Sequence, residues 1–167
     1  MTAAQPEALS VAAVDEQSVP IDTARWVALA TAVLRDEGVT GPAELALWFV
    51  DDEEIAVLNE QHLDEHGPTD VLSFPLDAFD DEPLATGMPL LLGDVFICPA
   101  VAARNAPQHP GTHAPQHGGT FDDEMALLVV HGVLHILGYD HAEAAEEASM
   151  QARERALLAT HHRSVPS

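Results

Sequence analysis

The sequence predicts an α+β fold: a single domain in which one small mixed β-sheet of about four strands packs with helices. Two observations support this fold class. The chain has 167 residues, of which 47% are apolar, enough to bury the core of one domain. The elements also follow the order strand, helix, strand, helix, two strands, then helices. We assign residues 9–160 to the domain and expect disordered tails at residues 1–8 and 161–167.

Alternating apolar residues and turn-forming glycines and prolines delimit the elements of the first half of the chain. Asp22 or Thr23 can cap the first helix, and Asp51 or Asp52 can cap the second. Pro75 is expected to stop the third strand. The predicted elements are strands at residues 9–14, 44–50 and 70–74 and helices at residues 23–35 and 52–61.

The second half of the chain predicts one more strand and then helices. Pro99 suits the first turn of a short helix, and a strongly apolar helix begins at Phe121 or Asp122. The predicted elements are a strand at residues 90–98 and helices at residues 99–105, 121–137 and 142–160, with loops at residues 77–89 and 106–120.

The single cysteine, Cys98, excludes an internal disulfide and fits a reducing compartment, so we expect a cytoplasmic protein. Because it lies in an apolar run, we predict a buried small side chain rather than a metal ligand or a nucleophile. The sequence does not begin with a basic segment followed by an apolar one, and no run approaches ~18 apolar residues. Neither a signal peptide nor a membrane span is therefore expected.

The formal net charge is -22, and all six basic residues are arginines. Such a surface repels nucleic acid at long range and favours solubility. A solvated acidic surface is the more common explanation, and an acidic binding face is the alternative. In either case an anionic substrate would have to be held locally, by a metal, by backbone N–H groups or by the few arginines.

Three histidines lie close together in the order H-x-x-x-H-x-x-x-x-x-H: His131, His135 and His141. The first two are one helical turn apart and share a face. Gly138 can end the helix, and the following turn can bring His141 back toward them. Three imidazoles with one open position are typical of a catalytic zinc site, whereas a structural site usually has four protein ligands. We therefore predict one Zn²⁺ per chain; the alternative is three unrelated histidines.

Residues around this motif allow more than one role. Gly132 stands where zinc peptidases of the H-E-x-x-H class carry a glutamate as general base, so that machinery is absent. Gly132 could allow close approach of the backbone or substrate, or simply pack against the sheet. Asp140 could orient an imidazole from outside the metal shell or cap the following helix. Thr69, Asp70 and Ser73 lie at a loop-to-strand junction and are candidate substrate-binding residues or parts of a turn.

The remaining histidine groups are predicted to be solvated. His109, His113 and His117 are spaced by four, but the prolines and glycine between them exclude a helix that would align them. His161 and His162 lie near a C-terminus that we expect to be frayed.

The histidine motif, HGVLHILGYDH, resembles the zinc motif of the YbeY family of endoribonucleases. Two further segments, which precede this motif in the chain, are similar to that family and occur in the expected order. They are GPTDVLSFP at residues 67–75 and LGDVFIC at residues 92–98. The pair Leu58-Asn59 also fits. The resemblance covers about residues 9–160.

The resemblance implies a single-strand-specific, zinc-dependent endoribonuclease that hydrolyses RNA phosphodiester bonds. It implies roles in 3′-end maturation of 16S ribosomal RNA and in ribosome quality control, with single-stranded RNA, ribosomal RNA and the small ribosomal subunit as partners and no DNA or membrane. It also implies that His131, His135 and His141 bind the zinc. The nucleophile would be the metal-bound water or the neighbouring 2′-OH. The family fold is a single α/β unit with a small mixed sheet and a central metal-bearing helix.

One position departs from the family pattern. Many members carry a functionally important arginine shortly before the Pro-Thr pair, and here that position is Leu63, with no arginine between Arg35 and Arg104. Two alternatives to the endoribonuclease therefore stay open at this point: a non-enzymatic ribosome-assembly factor stabilised by zinc, and a metallohydrolase of another substrate class. Gly132 argues against a peptidase.

Overall fold

The structure, a computed structural model, describes residues 9–76, 89–108, 118–139 and 143–162. Within these ranges it contains four β-strands, five α-helices and one short 3₁₀ turn at Ala106–Gln108. The strands are β1 (Leu9–Asp15), β2 (Ala43–Phe49), β3 (Val71–Pro75) and β4 (Leu90–Ile97). The helices are α1 (Thr23–Asp36), α2 (Asp52–Leu63), α3 (Pro99–Asn105), α4 (Phe121–Ile136) and α5 (Ala144–His161).

The four strands form one mixed sheet in the order β1-β2-β4-β3. β1, β2 and β4 run parallel, and β3 pairs with β4 in the antiparallel direction. In β2, every second side chain is buried, from Ala43 to Phe49, which is the alternation expected of a pleated strand that packs on a core. The predicted α+β fold with a small four-stranded mixed sheet is confirmed.

α4 is the central helix of the domain. It packs against β3 and β4 on one side and against α1, α3 and α5 on others. Its run from Asp123 to Val130 is buried on all sides, which is typical of a helix in the core rather than on the surface. Side chains that point from this helix toward the β3 edge are therefore held by a rigid, buried element.

Side-chain caps mark where α1 and α2 begin. Asp22 caps α1 by accepting a hydrogen bond from the backbone N–H of Arg25, and Asp51 caps α2 in the same way through Glu54. Of the two candidate caps predicted for each helix, the structure uses the first. Pro75 is the last residue of β3, as its missing N–H requires at the end of a ladder.

The C-terminal helix extends beyond the expected end of the domain at residue 160. α5 continues to His161, and His162 is 6% exposed, so these two residues belong to the folded domain and not to a frayed tail. Residues 1–8 and 163–167, the rest of the two expected tails, lie outside the described residues, as does most of the predicted loop 77–89.

Cys98 follows β4 and is fully buried, and burial raises the pKa of its thiol to about 11. The predicted burial of this small side chain is confirmed, and the raised pKa favours the thiol over the thiolate, which is the reactive form. In the ranges that the structure describes, the helices are too short or too polar to cross a membrane.

Candidate metal centre

The last two turns of α4 present two imidazoles to the same point. The Thr120 hydroxyl caps the start of α4 by accepting from the N–H of Asp123, and the helix ends at Ile136, before Gly138 with its φ of +99°. On this helix the Nε2 atoms of His131 and His135 lie 3.1 Å apart, and the two rings are inclined by 76°.

This geometry fits two ligands of one zinc ion. Ligand nitrogens at roughly 2.0–2.1 Å from a tetrahedral zinc lie about 3.3 Å from one another, close to the observed separation. The position near the C-terminal end of α4 also favours a cation, because the last carbonyls of a helix carry partial negative charge. The donor set and its surroundings therefore suit the metal that the motif predicts.

The third predicted ligand, His141, lies outside the described residues, and so does Asp140. Among residues 9–76, 89–108, 118–139 and 143–162, no group of three or more His, Cys, Asp or Glu side chains is placed to hold a metal ion. The complete ligand set and the role of Asp140 remain predictions. His109, His113 and His117 also fall outside the described ranges.

A carboxylate from α5 contacts the back of the first imidazole. Nδ1 of His131 lies 2.6 Å from Oε1 of Glu154, whose side chain is almost completely buried. We did not identify Glu154 from the sequence, although a signal exists: it falls on the buried stripe of α5 formed by Met150, Leu157 and Leu158. An acidic residue on an apolar stripe requires a partner, because an unpaired buried charge is costly.

The two imidazoles lie in the wall of a cleft of about 540 Å³. The predicted substrate-binding residues Asp70 and Ser73 also line it. Thr69 is not part of the lining, and its hydroxyl lies 3.5 Å from the Asp70 carboxylate. Burial, and then the charge of Glu124, raises the pKa of the Asp70 carboxyl. The full lining is Leu63, Asp70, Val71, Leu72, Ser73, Pro75, His131, His135, Gly138 and Tyr139.

Gly132 fits the packing interpretation of its role. A Cβ at this position would lie 2.6 Å from Cγ1 of Val95 in β4, closer than side chains approach one another. The Ser73 hydroxyl donates a hydrogen bond to the Gly132 carbonyl across 3.0 Å. The glycine thus lets α4 lie directly on β3 and β4, and this contact sets the height of the two histidines above the sheet.

Leu63, where the resemblance leads us to expect an arginine, stands in the cleft. It is 54% exposed and contributes to the cleft wall. Three arginines of the described ranges are instead engaged elsewhere, in ion pairs of Arg25 with Asp122, Arg104 with Asp52 and Arg153 with Glu37. None of the described residues that line the cleft is an arginine that could bind a phosphate group.

Comparison with known proteins finds relatives along nearly the whole chain. A family model described as Endoribonuclease YbeY matches residues 11–162. The chain is 44% identical over 155 residues to the Endoribonuclease YbeY of Acidothermus cellulolyticus, covering 90% of each protein. It is 42% identical over 158 residues to that of Thermobifida fusca, covering 94% of this chain and 97% of the relative.

A solved structure has a similar fold. The solution structure of a Thermotoga maritima protein matches with a TM-score of 0.54 and 20% identity, covering 96% of this chain and 99% of that one. At this level of identity the similarity supports the fold alone.

Proposed function

This chain belongs to the Endoribonuclease YbeY family, and from that premise we propose that it hydrolyses phosphodiester bonds in single-stranded RNA with one zinc ion held by His131, His135 and His141. Its general activity, a hydrolase acting on RNA, follows from the family. The finer assignment is 3′-end maturation of 16S ribosomal RNA and ribosome quality control on the small ribosomal subunit. A cytoplasmic location goes with that substrate.

The observation that carries the proposal is the 3.1 Å separation of the two Nε2 atoms in the wall of an open cleft. When bound, zinc supplies Lewis-acid chemistry: it polarises a phosphoryl oxygen and makes water a stronger acid. The role of His131 and His135 is to bind and orient that ion from a buried helix. The cleft is large enough to admit part of a flexible strand, which supports a single-stranded substrate.

The charges around the cleft make the cation a requirement for substrate binding. Asp70 lines the cleft, Glu124 is buried next to it, and the carbonyl end of α4 adds further negative potential. A phosphate would be repelled from this surface unless a cation offsets the charge. We assign Asp70 and Ser73 to the ribose of the substrate, because carboxylate and hydroxyl oxygens accept hydrogen bonds from a 2′-OH.

The proposal is tested with purified, zinc-loaded protein on one labelled RNA sequence, offered as a single strand, as a duplex and as the equivalent DNA. We expect cleavage of the single-stranded RNA alone. His135→Ala should abolish both stoichiometric zinc and cleavage, whereas His113→Ala should change neither. Cleavage by His135→Ala at the wild-type rate would contradict the site.

The alternative of an assembly factor predicts a different result in the same assay. Wild-type protein with full zinc occupancy would associate with small ribosomal subunits and leave single-stranded RNA uncut. Cleavage of a fluorescent peptide in place of RNA would instead indicate the other alternative, a hydrolase of another substrate class.

Leu63 offers a test of how the cleft holds phosphate. Leu63→Arg would place a cation in the cleft wall, so we expect tighter RNA binding, and log K should fall more steeply with log[salt] by about 0.7 for one added phosphate contact. Leu76→Arg, at an exposed leucine outside this cleft, is the matched control. An unchanged salt slope for Leu63→Arg would show that the bound strand does not pass Leu63.

A further inference from the structure

We propose that Glu154 is a positioning residue of the metal centre, whose carboxylate accepts the Nδ1 proton of His131 and thereby makes Nε2 the metal-binding nitrogen. This inference rests on the proposed zinc site. A neutral imidazole carries one N–H and one lone pair, and the hydrogen bond made by one nitrogen decides the role of the other.

The geometry gives this role to Glu154. Oε1 lies 2.6 Å from Nδ1 of His131, whereas the other ring nitrogen, Nε2, faces His135. An ionised carboxylate can only accept a hydrogen bond, so Nδ1 must be the donor. The lone pair is then on Nε2 and points toward the position where the two histidines converge.

The surroundings of Glu154 indicate that its negative charge has a role other than packing α5 against α4. Glu154 is 1% exposed, and within the described residues its second oxygen, Oε2, is buried without a hydrogen-bond partner. Asp70 and Glu124 line the same small cavity of about 210 Å³ as Glu154 and His131. Burying a carboxylate in such an acidic environment is unfavourable unless positive charge offsets it.

A metal ion on the far side of His131 provides that positive charge. Ligating histidines generally donate their second N–H to a carboxylate, which orients the ring and raises its basicity. Glu154 would therefore stabilise the metal-bound state while contributing little to the metal-free fold. A purely structural link between α4 and α5 would have the opposite effect: lower stability on removal, with unchanged metal affinity.

The test compares three variants by competition for zinc with a chromogenic chelator. Glu154→Leu, which has no acceptor, should bind zinc about 10- to 100-fold more weakly than wild type. Glu154→Gln keeps an acceptor oxygen and loses the charge, so its affinity should lie between the two. Glu146→Gln changes an exposed glutamate on the same helix and should leave the affinity unchanged.

Two further measurements separate positioning from packing. Nitrogen-15 NMR of the imidazole should find the proton of His131 on Nδ1 in wild type and in Glu154→Gln, and a mixture of tautomers in Glu154→Leu. Urea unfolding of the metal-free proteins should find Glu154→Leu at least as stable as wild type. Wild-type zinc affinity in Glu154→Leu, or in Glu154→Gln if the leucine variant does not fold, would overturn the proposal.

The outcomes also distinguish this inference from the proposed function. If zinc affinity falls in Glu154→Leu but wild-type protein leaves RNA intact, Glu154 positions a metal ligand in a protein without the proposed activity. If His135→Ala binds zinc as tightly as wild type, both the metal centre and the role of Glu154 are wrong.

Discussion

Two histidine–carboxylate pairs join α4 to the C-terminal end of the chain, and they differ in how completely their atoms are satisfied. In one, His162 pairs with Asp123 near the start of α4, with Nε2 and Oδ1 2.8 Å apart. In the other, His131 near the end of α4 pairs with Glu154 across 2.6 Å. Both pairs join a histidine to a buried carboxylate at a similar distance, although the histidine lies on α4 in one pair and directly after α5 in the other.

The pair at the start of α4 is saturated. Nδ1 of His162 lies 3.2 Å from Arg25, which donates to it, so Nε2 carries the proton given to Asp123. The other oxygen of Asp123 accepts from the N–H of Gly118. Both side chains are buried, and this pair is a closed structural link.

The pair at the end of α4 is open. Its histidine turns Nε2 toward a second imidazole in a cleft, and its carboxylate has a buried oxygen without a hydrogen-bond partner in the described residues. Two nitrogens 3.1 Å apart form a good arrangement when a cation lies between them. The comparison teaches that a buried carboxylate oxygen without a hydrogen-bond partner in the described residues, and not the presence of a histidine–carboxylate pair, distinguishes the functional end of α4 from its structural end.

Breaking the saturated pair should have the largest effect on stability. Asp123→Ala leaves the buried Nε2–H of His162 and the N–H of Gly118 without their charged acceptor. Since a hydrogen bond to a charged group contributes about 1.5–3 kcal/mol, we expect a loss of about 3–5 kcal/mol in the free energy of unfolding. Zinc affinity of the folded protein should not change. Asp122→Ala, which removes a half-exposed carboxylate from the same turn, is the control and should cost about 1 kcal/mol or less. Urea denaturation measures both, and equal losses would contradict the contrast.

Zinc binding at His131 and His135 should raise the free energy of unfolding by somewhat less than the loss expected for Asp123→Ala. Zinc at 100 times its dissociation constant stabilises the fold by about 2.7 kcal/mol, which raises Tm by roughly 5–10 °C for a domain of this size. We expect this increment in wild type and in Asp123→Ala but not in His135→Ala. Thermal unfolding with zinc and with a chelator tests it, and an increment in His135→Ala would place the binding site elsewhere.

Substituting Gly132, which packs against Val95 of β4, should lower the free energy of unfolding by less than Asp123→Ala does. Gly132→Ala would gain about 1 kcal/mol in an unhindered helix, but its Cβ would lie 2.6 Å from Val95, whose branched side chain is held in β4. Overpacking therefore outweighs the gain in helix propensity, and we expect the free energy of unfolding to fall by about 1–3 kcal/mol. The double variant with Val95→Ala should be more stable than the sum of the single effects predicts; strict additivity would mean that the two side chains do not clash.

The smallest effect is expected at Ser73, which ties β3 to α4 through the Gly132 carbonyl. Ser73→Ala removes one hydrogen bond at the edge of the cleft, so a loss of about 1 kcal/mol is expected in chemical denaturation. Zinc affinity should stay at the wild-type value, since Ser73 contacts the helix backbone and not an imidazole. A fall in zinc affinity as large as that expected for Glu154→Leu would mean that β3 also positions the ligands.

Much of the fold was predictable from local patterns. The alternation in β2 and the caps at Asp22 and Asp51 depend on neighbours within a few residues, and the structure has them as expected apart from shifts of one or two residues at the ends. The four-stranded mixed sheet and the family were also predicted and are confirmed. The end of α5 was placed too early, because the chain beyond it has no strong periodicity and long-range contacts of His162 with Asp123 and Arg25 hold it in the core.

By itself the sequence determined that His131 and His135 meet, because four residues make about one turn of a helix and no other part of the protein is needed to align them. Only the tertiary structure decided that Glu154 contacts His131, that Leu63 lines the cleft and that His162 is a structural residue. The two histidine–carboxylate contacts join residues 23 or more positions apart. They depend on how α2 and α5 pack across the sheet and α4, and local periodicity contains no information about that packing.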